Sequence, residues 1–236
     1  MTYTPPGGSA SSATIFASYP GDEGHSASPG ETTVVGVVAT PSGSTTTISC
    51  AVCAIPVGGK QTTITVQAKA ANGQPLTTGG ATVTLTTTRG GLSAVTDNGN
   101  GTYTASLTSR IKMGKAIVSG TIDGQQIAST ATVRFTAAAP AAGRTQISAG
   151  RVNVLQANGT TRIIVDTQDR FGNDIAKGGA KVKLRTTAGK LRRVRDLRNG
   201  NYTAILSRNK EEDQKVLVTG TINGRRIKDN AVVFFR

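Results

Sequence analysis

The sequence predicts an all-β fold, with two tandem β-sandwiches behind an extended N-terminal arm. Apolar residues alternate with Thr, Lys or Arg at period two, as in Thr63-Ile-Thr-Val-Gln and Ala81-Thr-Val-Thr-Leu-Thr, the spacing of strands with one buried face. Gly is abundant at 29 residues, aromatics are 4% and Trp is absent, which suits short strands, tight turns and a core of Val, Ile, Leu and Ala. Most of the chain is also an internal repeat.

Residues 1–47 hold no Lys or Arg and are dominated by Gly, Ser, Thr and Pro. Such a segment buries too little apolar surface to offset its ordering entropy, so it reads as an arm. Within it, Thr33-Val-Val-Gly-Val-Val is apolar enough to form a strand where an edge is offered. Met1-Thr-Tyr-Thr-Pro-Pro-Gly-Gly-Ser lacks the basic and apolar regions of a secretory signal, and no run of about eighteen apolar residues suggests a spanning helix.

The repeat starts beyond the arm. Asn72-Gly73-Gln-Pro-Leu76 and Gly79-Gly80-Ala81-Thr-Val match Phe171-Gly172-Asn-Asp-Ile175 and Gly178-Gly179-Ala180-Lys-Val at an offset of 99 residues. Gly101-Thr-Tyr103 matches Gly200-Asn-Tyr202 at the same offset, and Val118-Ser-Gly-Thr-Ile matches Val218-Thr-Gly-Thr-Ile at 100, which places a one-residue insertion near 209–213. The repeats end on Ala131-Thr-Val-Arg-Phe135 and Ala231-Val-Val-Phe-Phe235, giving sandwiches over 48–136 and 147–236 with a linker at 137–146. About seven strand-like runs per repeat, punctuated by turns, are the pattern of an immunoglobulin-like sandwich. Tyr103 and Tyr202 each follow an Asn/Gly turn, either as tyrosine corners bonding nearby backbone or as half-buried strand tyrosines.

The Gly-Gly-Ala-Thr-Val segment at 79–83 and Asp97-Asn-Gly-Asn-Gly-Thr-Tyr103 resemble the bacterial Ig-like domain of group 1, the repeat of invasin and intimin extracellular regions. The resemblance is strong over 57–136 and looser over 147–235. It implies Ig-like sandwiches strung as rods that carry a binding tip away from an anchor, and the sequence shows neither a β-barrel anchor nor a lectin-like tip.

Catalytic chemistry finds little footing. The one histidine, His25, lies in the arm, so no Ser-His-Asp constellation forms on a sandwich. Cys50 and Cys53 form the one CxxC, with no second pair to complete a zinc site. They read as free structural thiols, a small disulfide loop needing a local turn, or an intermolecular or metal-binding pair. Asp166, Asp169 and Asp174 could suggest a calcium loop, but repeat 1 has Gln67, Ala70 and Pro75 there, so turn chemistry is preferred. Asn98-Gly-Asn-Gly leads into a strand and is a hairpin turn, and sequons stand at Asn100, Asn158 and Asn201. The chain reads as non-enzymatic, with no catalytic, cofactor or metal site.

Charge is the informative feature. The net charge is +14, yet residues 1–56 carry three acids and no base, residues 57–142 seven bases and two acids, and residues 143–236 twenty bases and eight acids. The repeat supplies its own control. Thr82, Thr84 and Thr86 become Lys181, Lys183 and Arg185; Ser93, Ala94 and Thr96 become Arg192, Arg193 and Arg195; Gln125, Gln126 and Ala128 become Arg225, Arg226 and Lys228. Val83 and Leu85 meanwhile persist as Val182 and Leu184, so charge is added without the core requiring it. These nine cations are the candidate partner-binding residues, for a protein assembly with an acidic surface or a cell-surface polyanion. Nucleic acid is set aside because stacking aromatics are few.

The expected role is a structural or attachment protein. The main reading is an accessory component of a phage virion (decoration, neck or tail), assembled in the cytoplasm and present in multiple copies within a larger complex. The alternative is a bacterial cell-surface adhesin or envelope rod of the invasin/intimin type.

Overall fold

The computed structural model describes residues 12–19, 21, 23–24, 28–35, 39–155, 159–208 and 214–236. His25, the sequon at Asn158 and the expected insertion near 209–213 lie outside the described residues.

In the N-terminal segment, β1 (Ser12–Tyr19) and β2 (Ser28–Val35) pair antiparallel from Ser12 opposite Val35 to Tyr19 opposite Ser28. The segment read as an extended arm thus carries a two-stranded ladder, and the Thr33-Val-Val run belongs to it as far as Val35.

Each repeat builds one two-sheet sandwich. The first comprises β3 (Thr47–Cys50), β4 (Ala54–Pro56), β5 (Gln61–Gln67), β6 (Val83–Thr87), β7 (Gly91–Leu92), β8 (Thr96–Asp97), β9 (Thr102–Thr108), β10 (Gly114–Ile122), β11 (Gln125–Gln126) and β12 (Ala131–Thr136). The second follows in the same order with β13 (Gln146–Ala149), β14 (Asn153–Val154), β15 (Thr160–Asp166), β16 (Val182–Thr186), β17 (Lys190–Leu191), β18 (Arg195–Asp196), β19 (Asn201–Ser207), β20 (Gln214–Ile222), β21 (Arg225–Arg226) and β22 (Ala231–Phe235). One sheet of the first sandwich runs β3-β5-β9-β7 with β8 on β9; the other runs β11-β10-β12-β4 with β6 on β10. In the second, β13-β15-β19-β17 with β18 on β19 faces β14-β22-β20-β16 with β21 on β20. By spatial proximity the chain divides into two compact units, residues 1–53, 61–108 and 115–133 forming one and residues 54–60, 109–114 and 134–236 the other.

Strand alternation places the core. Along β5, Thr62, Ile64 and Val66 are buried between exposed or half-buried neighbours; along β15, Thr161, Ile163 and Val165 repeat the pattern. In the second sandwich Ile163 and Val165, with Leu206 of the neighbouring β19, share one core cluster with Val216, Val218, Val233 and Phe235 of the other sheet. Burial of these side chains between the sheets is the main favourable term, about 1.5–3 kcal/mol for each large one.

In both sandwiches the first strand crosses from one sheet to the other. β3 pairs β5 antiparallel, the chain bends at 51–53, and β4 then pairs β12 in parallel. β13 and β14 do the same against β15 and β22. At the first crossing Cys50 and Cys53 are disulfide-bonded, with Cα atoms 5.4 Å apart. The bend supplies the turn that a flat strand lacks, so the free-thiol reading gives way to the disulfide loop. The second sandwich makes the same crossing with Ala149 and Val152 at the equivalent positions.

Candidate functional site

The two most specific motifs of each repeat are bonded to each other. The Asp97 carboxylate accepts the Gly80 N–H at 2.7 Å, and the Tyr103 hydroxyl accepts the Ala81 N–H at 2.9 Å. In repeat 2, Asp196 accepts Gly179 N–H at 2.7 Å and Tyr202 accepts Ala180 N–H at 2.8 Å. Both tyrosines are fully buried rather than half-buried, and each bonds backbone 22 residues upstream, farther than a corner tyrosine reaches. Burial pushes both phenols above their ordinary pKa, while the alanine N–H bonds pull the other way. The turn into each tyrosine strand needs glycine. Gly101 and Gly200 adopt φ of 79° and 88°, and a Cβ there would strike the carbonyl oxygen of Leu76 or Ile175.

These bonds hold Gly178–Ala180 in place and launch β16, where the charge substitutions begin. Lys183 and Arg185 point outward from β16, while Val182 and Leu184 are half-buried against the core. Lys183 lies opposite Thr221, which lies opposite Arg226, so those two cations share the outer face of the sheet across β20.

Five of the nine candidate cations converge. Lys181, Lys183, Arg185, Arg192 and Arg193 line one cleft of about 630 Å³ between the β16 edge and the segment joining β17 to β18. Val182, Leu184, Leu191 and Val194 form its apolar lining, with Asp196 and Tyr202 at one end. Asp196 is committed to the Gly179 and Arg198 N–H groups. Arg195 lies outside the cleft, on the strand residue opposite Thr203. Arg225 and Arg226 form β21 on the other side of β20, and Lys228 follows with its N–H on the Ala142 carbonyl. The nine cations are therefore not one patch.

The Asp166, Asp169 and Asp174 group is a turn. Asp169 is fully buried; Oδ1 accepts the N–H groups of Phe171 and Asn173, and Oδ2 accepts that of Ala138 and the Asn173 side-chain amide. Burial alone would raise its pKa, but the bonds from Asn173, Ala138 and Phe171 outweigh it and hold the carboxyl below its ordinary value. Gln168 donates to Asp174, while burial and then the Asp174 charge raise Asp166. Ala138, Pro140 and Ala141 all engage this turn, so the stretch read as a linker is hydrogen-bonded along part of its length. Among the described residues no three His, Cys, Asp or Glu side chains gather as a metal site, and no helix is long and apolar enough to cross a membrane.

Among solved structures, FdeC, an Escherichia coli adhesin, is 24% identical with a TM-score of 0.65, over 84% of this chain and 66% of its own. Invasin, described as a bacterial integrin-binding protein, is 22% identical with a TM-score of 0.68, over 96% of this chain and 46% of its own. InvD of Yersinia pseudotuberculosis is 24% identical with a TM-score of 0.57, over 81% of this chain and 56% of its own. At these identities the likeness speaks to fold, and the chain spans between about half and two thirds of each relative. No curated protein matches the sequence. The family described as invasin, domain 3, matches residues 40–138 and again residues 141–236, so the chain belongs to that family and carries two tandem copies of its domain.

Proposed function

We propose that this chain is a segment of a bacterial cell-surface rod, a pair of Ig-like modules that presents or contributes to an adhesive surface outside the cell. The observation that carries the reading is the Cys50–Cys53 disulfide at the sheet crossing of a chain in the invasin domain 3 family. Disulfides persist in oxidising compartments and are rare in the cytoplasm, where a virion component would be assembled. The fold likeness to FdeC, itself an adhesin, supports the same compartment. The invasin domain 3 family and the likeness to FdeC and invasin favour the surface rod over the virion component as the preferred reading.

The role asked of the residues is mechanical and presentational, with no bond made or broken. The sandwich cores keep each module folded, and the outward faces are free to vary, as the change of Thr84 and Thr86 to Lys183 and Arg185 demonstrates.

The test is to label intact source cells with an antibody against the chain and, in parallel, to trap thiols with a membrane-impermeant alkylating reagent. Surface labelling with Cys50 and Cys53 protected from alkylation until reduction is the expected result. A chain found only inside cells or in phage particles, with both thiols alkylated, would overturn the reading.

A further inference from the structure

The cleft beside β16 combines three properties that rarely coincide on a solvated strand. The first is a free edge. Among the described residues, β16 is the terminal strand of its sheet and pairs on one side only, with β20. Asn223 donates its N–H to the Lys181 carbonyl and Thr187 donates to the Leu217 carbonyl, so the odd residues from 181 to 187 turn their peptide groups toward β20. By antiparallel alternation, the N–H and C=O groups of Val182, Leu184 and Thr186 point to the open side. Such an edge is a template for another strand.

The second property is the chemistry of the two faces that such a strand would extend. Side chains placed opposite Val182 and Leu184 would enter the cleft, against the apolar side chains of Leu191 and Val194. Side chains placed opposite Lys183 and Arg185 would stand beside those cations on the outer face. The third is selectivity within the molecule. β6 has the same terminal place and the same register on β10, yet it presents Thr84 and Thr86 where β16 presents Lys183 and Arg185. The edge is common to both sandwiches, whereas the charge is confined to one.

We propose that the free edge of β16 binds an extended, acidic peptide segment of another protein by strand addition, its apolar residues filling the cleft and its carboxylates lying beside Lys183 and Arg185. Main-chain bonds to Val182, Leu184 and Thr186 supply register-dependent affinity, and the alternation of acidic and apolar side chains supplies specificity. A flexible polyanion would use the cations but neither the edge nor the apolar lining, and for that reason a peptide is favoured over a polysaccharide or nucleic acid. With five residues in β16, a segment of about seven residues covers the strand and both ends.

The experiment uses the purified full chain, a fluorescent heptapeptide of alternating glutamate and valine, and three competitors. These are the same composition with glutamates and valines in separate blocks, the alternating peptide N-methylated at every second amide, and heparin. The expected result is saturable anisotropy for the alternating peptide, with affinity at least about tenfold lower for the blocked and N-methylated forms. The Lys183→Thr/Arg185→Thr variant, which installs the residues of repeat 1, should bind about tenfold more weakly and lose most of its salt dependence while keeping its melting temperature. Amide signals of Val182, Leu184 and Thr186 should shift and gain exchange protection. Equal binding of the blocked or N-methylated peptide, preferred binding of heparin, signals moving elsewhere, or no saturable binding would each overturn the proposal. None of these outcomes bears on which compartment holds the chain, so the surface-rod reading stands or falls separately.

Discussion

The Tyr202 hydroxyl accepts the Ala180 N–H at 2.8 Å, and the same bond joins Tyr103 to Ala81 at 2.9 Å in the other sandwich. In each case a fully buried ring ties the Gly-Gly-Ala turn to the strand that follows the Asn/Gly turn. Changing Tyr103 or Tyr202 to Phe keeps the ring and leaves the alanine N–H without its acceptor. Each change should cost about 1–2 kcal/mol, read as a fall in melting temperature of the sandwich concerned.

Alkaline pH tests the same bond. Both phenols have pKa values raised in the fold, chiefly by burial, so the folded chain holds these protons more tightly than the unfolded chain. The stability they contribute is complete below the ordinary tyrosine value of about 10 and is lost as pH rises through the folded value. Chemical denaturation between neutral and strongly alkaline pH should show this loss, reduced by one site in each Tyr→Phe variant.

Asp169 has the opposite sign. Its folded pKa is lowered by the bonds from Asn173, Ala138 and Phe171, which together outweigh burial. Its stabilising contribution is present above the ordinary carboxylate value of about 3.9 and is lost as pH falls through the folded value. Asp169→Asn places an amide among N–H donors and should cost about 2–4 kcal/mol at neutral pH. It should also flatten the acid limb of the stability profile.

Arg198 adopts a left-handed φ of 62° where repeat 1 has Gly99 at 74°. Its N–H still reaches Asp196 at 2.7 Å, as that of Gly99 reaches Asp97 at 2.8 Å. A side chain in this conformation costs about 1 kcal/mol, partly offset by glycine's extra freedom when unfolded. Arg198→Gly should therefore raise the melting temperature of the second sandwich by a few degrees, measurable by calorimetry.

The Cys50–Cys53 bond closes a very short loop, so chain entropy credits it with about 2 kcal/mol at most. Reduction should lower the melting temperature of the first sandwich modestly and leave that of the second unchanged. A shift in both transitions would contradict a purely local role.

Much of the fold was legible because the repeat is written twice. Val83 and Leu85 returning as Val182 and Leu184, while their neighbours change, marks the inward face without any structure. The terminal strands and the Gly-Gly-Ala and tyrosine motifs were legible for the same reason. The sheet crossing was not, because a bend at 51–53 that satisfies its backbone by pairing onward leaves no periodic trace. With the bend unseen, the cysteines remained undecided. The division of the nine cations was also hidden. Sequence alternation tells which residues point outward, but only sheet order reveals that Arg192 and Arg193 meet the β16 cations while Arg195 turns away. Asp169 was recognised as turn-forming, yet its partner Ala138 lies 31 residues away and carries no signal of its own.

The sheet crossing has a consequence for a module in a rod. Because β4 runs parallel to β12, and β14 parallel to β22, the entering and leaving strands of each sandwich lie side by side and head the same way. A pull on the two ends of such a module slides these strands along each other instead of peeling them apart one bond at a time. The load falls on the whole short ladder at once, so its bonds must rupture together, and this geometry resists tension far better than unzipping does.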